Sequence, residues 1–256
     1  SPTTTTTYWV RIVDGTPCST NTAAVSQTVT ISTPSTNPSL TASATTVCRG
    51  ANVTLTASGG TLGTGAVYQW GSGNSVGSNI ISGQSGTSIV VNPTASGSYW
   101  VRRIDPAPCN TQTSGSQVYL NVSQPSVAPT SISAGSTSLC FGTGGTSLTA
   151  NGGTLGSSAS YQWGTGTVGS NIIAGANSAS YYINPTTTTT YWVRIVDNTP
   201  CSSNTAAAAI TITAASPSSA PTGITASATT VCSGSSVTLT ATGGTTATGA
   251  TYQWGI

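Results

Sequence analysis

Five arginines (Arg11, Arg49, Arg102, Arg103, Arg194) and three aspartates (Asp14, Asp105, Asp197) are the only charged side chains in 256 residues, and His, Lys, Glu and Met are absent. Serine is abundant, but there is no His or Lys to take its proton, so no activated nucleophile is expected. The aspartates recur about once per 91 residues, too far apart in sequence to make the carboxylate pair that glycoside hydrolysis needs within one domain. Three scattered carboxylates also cannot gather the oxygens a calcium site requires. Gly-rich stretches such as SGGTLGTG (58–65) have no following Lys or helix, which leaves them as turns rather than phosphate loops. Asp14, Asp105 and Asp197 open DGTPC, DPAPC and DNTPC, where a turn role is expected. A net charge of +2 gives no footprint for nucleic acid or anionic membrane. No catalytic residue, cofactor or metal is therefore expected, and the chain reads as a non-enzyme.

Six cysteines remain. They form two series, Cys18, Cys109, Cys201 and Cys48, Cys140, Cys232, that follow the same period as the tryptophans: Trp9, Trp100 and Trp192 are 91 and 92 apart, and Trp70, Trp163 and Trp254 are 93 and 91 apart. Whole phrases recur with them, including YWVRIVD (8–14, 191–197), VGSNII (76–81, 168–173) and YQWG (68–71, 161–164, 252–255). A fixed period of this length marks tandem domains. Pro-rich stretches at 33–39, 124–131 and 215–223 divide them and bias the backbone toward extended spacers. The units then run 1–34 (the end of one repeat), 35–126, 127–218 and 219–256 (the start of another), as an internal window of something longer.

Within 35–126, β-branched runs alternate with Gly, Ser, Asn and Pro turns, which predicts an all-β fold. Strands are expected near 39–44 (A), 52–58 (B), 66–71 (C), 78–82 (C′ or D), 87–92 (E), 97–104 (F) and 116–123 (G). About 92 residues with seven short strands suits an immunoglobulin-like β-sandwich, in which a strand-C tryptophan anchors the core. That places Trp70, Trp163 and Trp254 inside. On strand F, if Tyr99 packs inward, Trp100 and Arg102 point outward, and the same holds for Trp9 with Arg11 and Trp192 with Arg194. Each pair is then either a local Trp–Arg stack or a contact surface repeated once per domain.

The phrases TTVCRGANVTLTASGGT (45–61), YQWG, INPTTTTTYWVRIVD (183–197) and PCSSNTAAAAITIT (200–213) resemble the Ig-like and PKD-like repeats of Bacteroidota surface proteins. Such repeats occur in cell-surface and gliding-motility adhesins and in enzymes exported by the type IX pathway. The resemblance implies an extracellular structural or adhesive filament or stalk, or else a spacer or carbohydrate-binding region of a secreted hydrolase. Its partners would be neighbouring repeats, lateral copies of the same protein or surface glycans, with no membrane insertion here. The outward Trp-Val-Arg of strand F departs from relatives that carry small hydroxyl residues there.

A charge-poor, secreted-looking chain with six cysteines argues for disulfides rather than zinc. Cys48, Cys140 and Cys232 fall before strand B, and Cys18, Cys109 and Cys201 in the F–G loop. Sandwich topology puts these corners at opposite ends, roughly 20 Å apart, whereas a disulfide needs Cα atoms within about 7 Å. Cys48 is thus expected to bond Cys201 across the domain junction, with Cys109 paired to the preceding domain, Cys140 to the following one, and Cys18 and Cys232 to further repeats. The competing pair is Cys48–Cys109, within one domain.

Overall fold

The computed structural model describes residues 1–142 and 144–256, which hold eighteen strands and no helix. The chain divides into two compact units, 1–123 and 124–256.

The first unit opens with β1 (Thr6–Val10) and β2 (Val25–Val29), an antiparallel pair. Seven strands follow: β3 (Ser39–Ala42), β4 (Thr46–Cys48), β5 (Val53–Ser58), β6 (Val67–Ser72), β7 (Ser88–Val91), β8 (Gly97–Ile104) and β9 (Ser116–Ser123). They form two sheets, in the orders β3-β5-β7 and β4-β9-β8-β6. All pairs are antiparallel except β4 with β9, which is parallel. This is an immunoglobulin-like sandwich of three strands on four. The second unit repeats it with β10 (Ser131–Ala134), β11 (Ser138–Cys140), β12 (Thr146–Asn151), β13 (Ala159–Thr165), β14 (Ser180–Ile183), β15 (Thr189–Asp197) and β16 (Ala208–Ala215). It ends with the antiparallel pair β17 (Gly223–Ala226) and β18 (Leu239–Thr242).

The core lies between the sheets because the strands alternate. On β5, Val53, Leu55 and Ala57 are buried while Thr54, Thr56 and Ser58 are exposed. Trp70, Val101, Leu120 and Val122 close over them from the other sheet. The Trp70 indole is fully buried, and its N–H donates to the Gly86 carbonyl at 3.0 Å. Trp163 is buried likewise and donates to Ser178 at 2.9 Å.

Three expectations need correction. The first strand of the sandwich is split: β3 pairs with β5, then the chain crosses at Ser43–Thr45 and β4 joins the other sheet beside β9. Cys48 therefore ends a strand rather than sitting in a corner. The segment at 78–82 is no strand; it makes a single bridge, Gly71 with Ile80. Trp254 is half exposed rather than core, because residues 249–256 form no strand and no neighbouring strand covers it.

Trp70→Ala is expected to lower unfolding free energy by about 3–5 kcal/mol, the usual cost of truncating a fully enclosed Trp, measured by denaturant titration of the whole chain.

Candidate functional site: the strand-F face, the linker aspartates and the cysteines

Along β8 the side chains alternate. Val101 and Arg103 are buried on the core side, with Tyr99 partly buried against the core. Trp100 and Arg102 lie on the other face, as expected, but the exposure expected for the tryptophan is wrong: Trp100 and Trp192 are both fully buried. The reason is local. In register opposite Trp100 stands Gly71 on β6. A Cβ there would lie 2.1 Å from Trp100 Cζ2, so the indole rests flat across the neighbouring strand where no side chain stands. The 73–81 segment folds over it, and the indole N–H donates to the Ser78 carbonyl at 3.0 Å. The Arg102 guanidinium carbon sits 5.6 Å from the ring centroid, and its Nε donates to Gln69 Oε1 at 2.7 Å. In the second unit Trp192 lies over Gly164, with Arg194 at 5.5 Å and bonded to Gln162 at 2.8 Å. Trp9 and Arg11 keep the stack at 5.5 Å, yet Trp9 is 63% exposed on the two-stranded β1–β2 pair. The indoles of the complete sandwiches thus present no surface to a sugar or a neighbour. The signal for this was in the sequence: the Gly of YQWG and the repeated VGSNII are the floor and cover of the indole.

The aspartates do more than form a turn. Asp105 accepts from the Thr111 hydroxyl at 2.6 Å inside its own turn. It also accepts from the Ser35 N–H at 2.9 Å and the Ser35 hydroxyl at 2.5 Å, and Ser35 Oγ in turn accepts from the Gly63 N–H at 2.9 Å. Ser35 lies in the Pro-rich stretch that leads into the sandwich. The same latch recurs 91 residues on. Ser126 gives its N–H and its hydroxyl (2.5 Å) to Asp197, Ser203 adds a hydroxyl at 2.9 Å, and the Gly156 N–H donates to Ser126 Oγ at 2.8 Å. Ser218 accepts from the Ala247 N–H at 2.9 Å. The stretches expected to act as spacers are therefore bound to the sandwich that follows them. Arg103 reinforces this in the first unit alone, where the second has Ile195. Buried, it donates to the carbonyls of Thr36, Thr61 and Gly59 and to the Tyr68 hydroxyl.

Hydrogen bonds from the Ser35 and Thr111 hydroxyls hold the Asp105 carboxyl below its usual range. For Asp197, burial alone would push upward, but the bonds from Ser126 and Ser203 outweigh it and the net direction is again down.

Cys48 stands in register with Ser123 at the end of β9, whereas Cys109 lies in the loop before β9 begins. Eight residues of strand, roughly 27 Å, separate the two ends. Cys48 and Cys201 are both disulfide-bonded, and Cys109 is a thiol whose sulfur lies 3.5 Å from the Ser32 carbonyl oxygen. The pair Cys48–Cys109 is thereby ruled out. Cys18 and Cys232 are exposed thiols; the pairing expected for them is with cysteines of other repeats. Among the described residues, no three His, Cys, Asp or Glu side chains gather as a metal site would need.

Residues 129–216 match a family described as "Domain of unknown function (DUF8696)". No curated protein sequence matches the chain. Among solved structures, murine CEACAM1b is 17% identical over 70% of this chain and 98% of its own, with a TM-score of 0.39. The full Ig1–Ig3 ectodomain of mouse nectin-like molecule 4 is 14% identical over 72% of this chain and 65% of its own, at 0.34. The amphioxus IgVJ-C2 molecule is 13% identical over 66% of this chain and 99% of its own, at 0.36.

Two outcomes follow from these contacts. Trp100→Ala is expected to destabilise the chain by roughly 3 kcal/mol or more, the scale for emptying an enclosed Trp site, when followed by denaturant unfolding. For the aspartates, a carboxylate held low when folded binds fewer protons folded than unfolded. Its stabilisation is complete above the ordinary value of about 4 and is lost as pH falls through the folded value. With no His or Glu in the chain, thermal unfolding should be nearly flat from neutral pH down to about pH 5 and then fall. In Asp105→Asn the chain should be less stable at neutral pH and its acid slope shallower.

Proposed function

We propose that this chain is a stretch of a non-catalytic, extracellular array of Ig-like sandwiches, serving as a structural or adhesive stalk of a bacterial cell-surface protein, with Cys48 and Cys201 as each other's disulfide partner. The observation that carries this reading is the linker latch. At the same place in successive repeats a serine of the incoming stretch is bonded through both its N–H and its hydroxyl to the aspartate at the end of strand F. A linker held to the domain it enters loses the freedom a Pro- and Ser-rich spacer would otherwise have, which suits a chain that carries load. Two oxidised cysteines support an extracellular location, since cytosolic thiols are kept reduced. No described helix is long and apolar enough to cross a membrane. Adhesive contacts in this reading belong to exposed loops and strand faces, not to the enclosed indoles of Trp100 and Trp192.

The disulfide pairing has a direct chemical test. Trypsin cuts after arginine, so Cys48 falls in 12–49, Cys109 in 104–194 and Cys201 in 195–256. Without reductant, 12–49 should travel linked to 195–256, and fragment sequencing should place the bond at Cys48 and Cys201; a bond sequenced to Cys48 and Cys109, linking 12–49 to 104–194, would return the pairing to a single domain. The mechanical role has its own readout. With that bond intact, residues 49–200 cannot extend when the chain is pulled from its ends. Reduction should then release roughly 500 Å of additional contour length, at about 3.4 Å per residue, in single-molecule stretching.

A further inference from the structure

Strand F is entered through different residues in its three copies. In two of them the run is all threonine, at 4–7 before Tyr8 and at 187–190 before Tyr191. In the first complete sandwich the same four places read Ala95, Ser96, Gly97 and Ser98, before Tyr99. The threonines bond among themselves. Thr189 donates its hydroxyl to the Thr187 carbonyl at 2.7 Å, and Thr190 shares a hydroxyl bond with Thr211 of strand G at 2.9 Å. Thr6 with Thr4 and Thr7 with Thr28 do the same, at 2.8 Å each. The Asn171 amide of the second sandwich is engaged too, donating to the Thr165 carbonyl at 3.4 Å.

The first sandwich makes none of these bonds. Gly97 has no hydroxyl to give, and Ser98 stands in register with Tyr119 where the other copies have a threonine. The turn before strand F is also one residue longer, GSGNSVGSN (71–79) against GTGTVGSN (164–171), and the addition brings in Asn74. Among the described residues, the side chains of Ser72, Asn74, Asn79, Ser98 and Tyr99 therefore have no hydrogen-bond partner. All five line one cleft of about 310 Å³, kept open by Gly73, Ala95 and Gly97; ligand pockets begin at roughly 300 Å³. We infer that this cleft binds a neutral sugar, a reading that rests on the adhesive side of the function proposed above.

The chemistry left open selects the ligand. Main-chain groups at the cleft are already paired: the Gly73 N–H donates to the Ser98 carbonyl at 2.8 Å and the Ser72 N–H to the Asn79 carbonyl at 3.2 Å. No unpaired backbone row is left there to take up a peptide strand. What remains is two hydroxyls, two amides and a phenol, groups that both donate and accept, as the hydroxyls of a sugar do. No charged side chain lines the cleft, so nothing in it favours a phosphate, sulfate or carboxylate. Beside it Tyr119 shares a face with Ser98 and is 58% exposed, a flat amphipathic ring on which the C–H face of a sugar can lie. Gln117 of the same strand donates to the Asn74 carbonyl at 3.0 Å and holds the longer turn in place.

The test is amide NMR of the whole isotope-labelled chain, titrated to millimolar glucose, galactose, mannose, N-acetylglucosamine and their disaccharides. At least one should shift the side-chain amides of Asn74 and Asn79 and the backbone amides of 97–99, saturably, and leave the threonine run at 187–190 unmoved. Glucuronic acid should bind no better than glucose. A variant carrying Ala95→Thr, Gly97→Thr, Ser98→Thr and Tyr119→Thr restores the closed arrangement of the second sandwich. A Cβ at Gly97 meets nothing within 4 Å, so its thermal unfolding should match the unaltered chain while sugar binding weakens about tenfold or more. Asn74→Ala, in an exposed turn, should weaken binding without any repacking of the strands. No saturable shift with any of these sugars, equal shifts in both sandwiches, or variants that bind as strongly would overturn the proposal. So would a response to an extended serine peptide and to no sugar. None of these outcomes bears on the disulfide or on the stretching result, so the stalk stands or falls separately from the site.

Discussion

The register between strands β6 and β8 is the constraint on which the sandwich rests, because each strand carries one of its large aromatic residues and the two face opposite ways. Trp70 looks into the core and Trp100 away from it, and the pairing places Trp70 against Val101 and Gly71 against Trp100. A slip by one residue would turn one strand's side chains to the wrong faces. It would also bring a side chain under the indole of Trp100, where there is room for none. Trp70 is the largest side chain of a core otherwise made of Val, Leu, Ile, Ala and Tyr, and Trp100 is as fully enclosed on the outer face. The packing on the outer face is thus as much a part of folding as the core. The Arg102–Gln69 bond and the loop over Ser78 exist to enclose that second indole. The same set is rebuilt around Trp192, Gly164, Arg194 and Gln162.

Scarcity of charge gives the few ionised groups unusual weight. Asp105 is enclosed, and hydroxyl and amide donors from two stretches of chain converge on it. A buried carboxylate is tolerated only when donors replace the water it loses, and here Ser35 and Thr111 do so. The latch therefore works in both directions: the serine anchors the linker, and the linker makes burial of the aspartate affordable to the fold. Arg103 extends this in the first unit, reaching carbonyls on both sides of the linker contact. At the equivalent place the second unit has only Ile195, and its latch stands without a buried guanidinium.

Much of this was legible in the sequence. The period, the strand boundaries of β5, β8 and β9, and the enclosure of Trp70 and Trp163 follow from residues whose pattern is local: alternating Val and Thr, or a tryptophan at a fixed place in YQWG. What escaped needed partners far apart in sequence. Alternation placed Trp100 on the outer face correctly, but exposure depended on Gly71, 29 residues earlier, and on a loop that looked like a strand. Asp105 read as a turn former because its turn partner Thr111 is six residues away, while its linker partner Ser35 is seventy away. The split of the first strand into β3 and β4 was hidden because both halves have the same hydroxyl-rich composition.

The position of the latch also decides where one repeat ends and the next begins. Composition suggested cutting at the prolines, as though they were neutral ground between domains. Hydrogen bonding assigns the stretch after Ser123 to the domain it enters: the Ser157 N–H donates to the Gln124 carbonyl, and Ser126 is held by Asp197. Strand β11 of that same domain runs parallel to β16 and ends at Cys140 beside Ala215, the last residue of β16. Each domain therefore has its incoming linker fixed near the F–G loop, and the cysteine that ends β4 or β11 at the far end of strand G, where the chain leaves. A repeat built this way carries a linker anchor at its entrance and a cysteine-bearing strand at its exit. The linker anchor is internal to the fold of one repeat, so it is rebuilt with each copy.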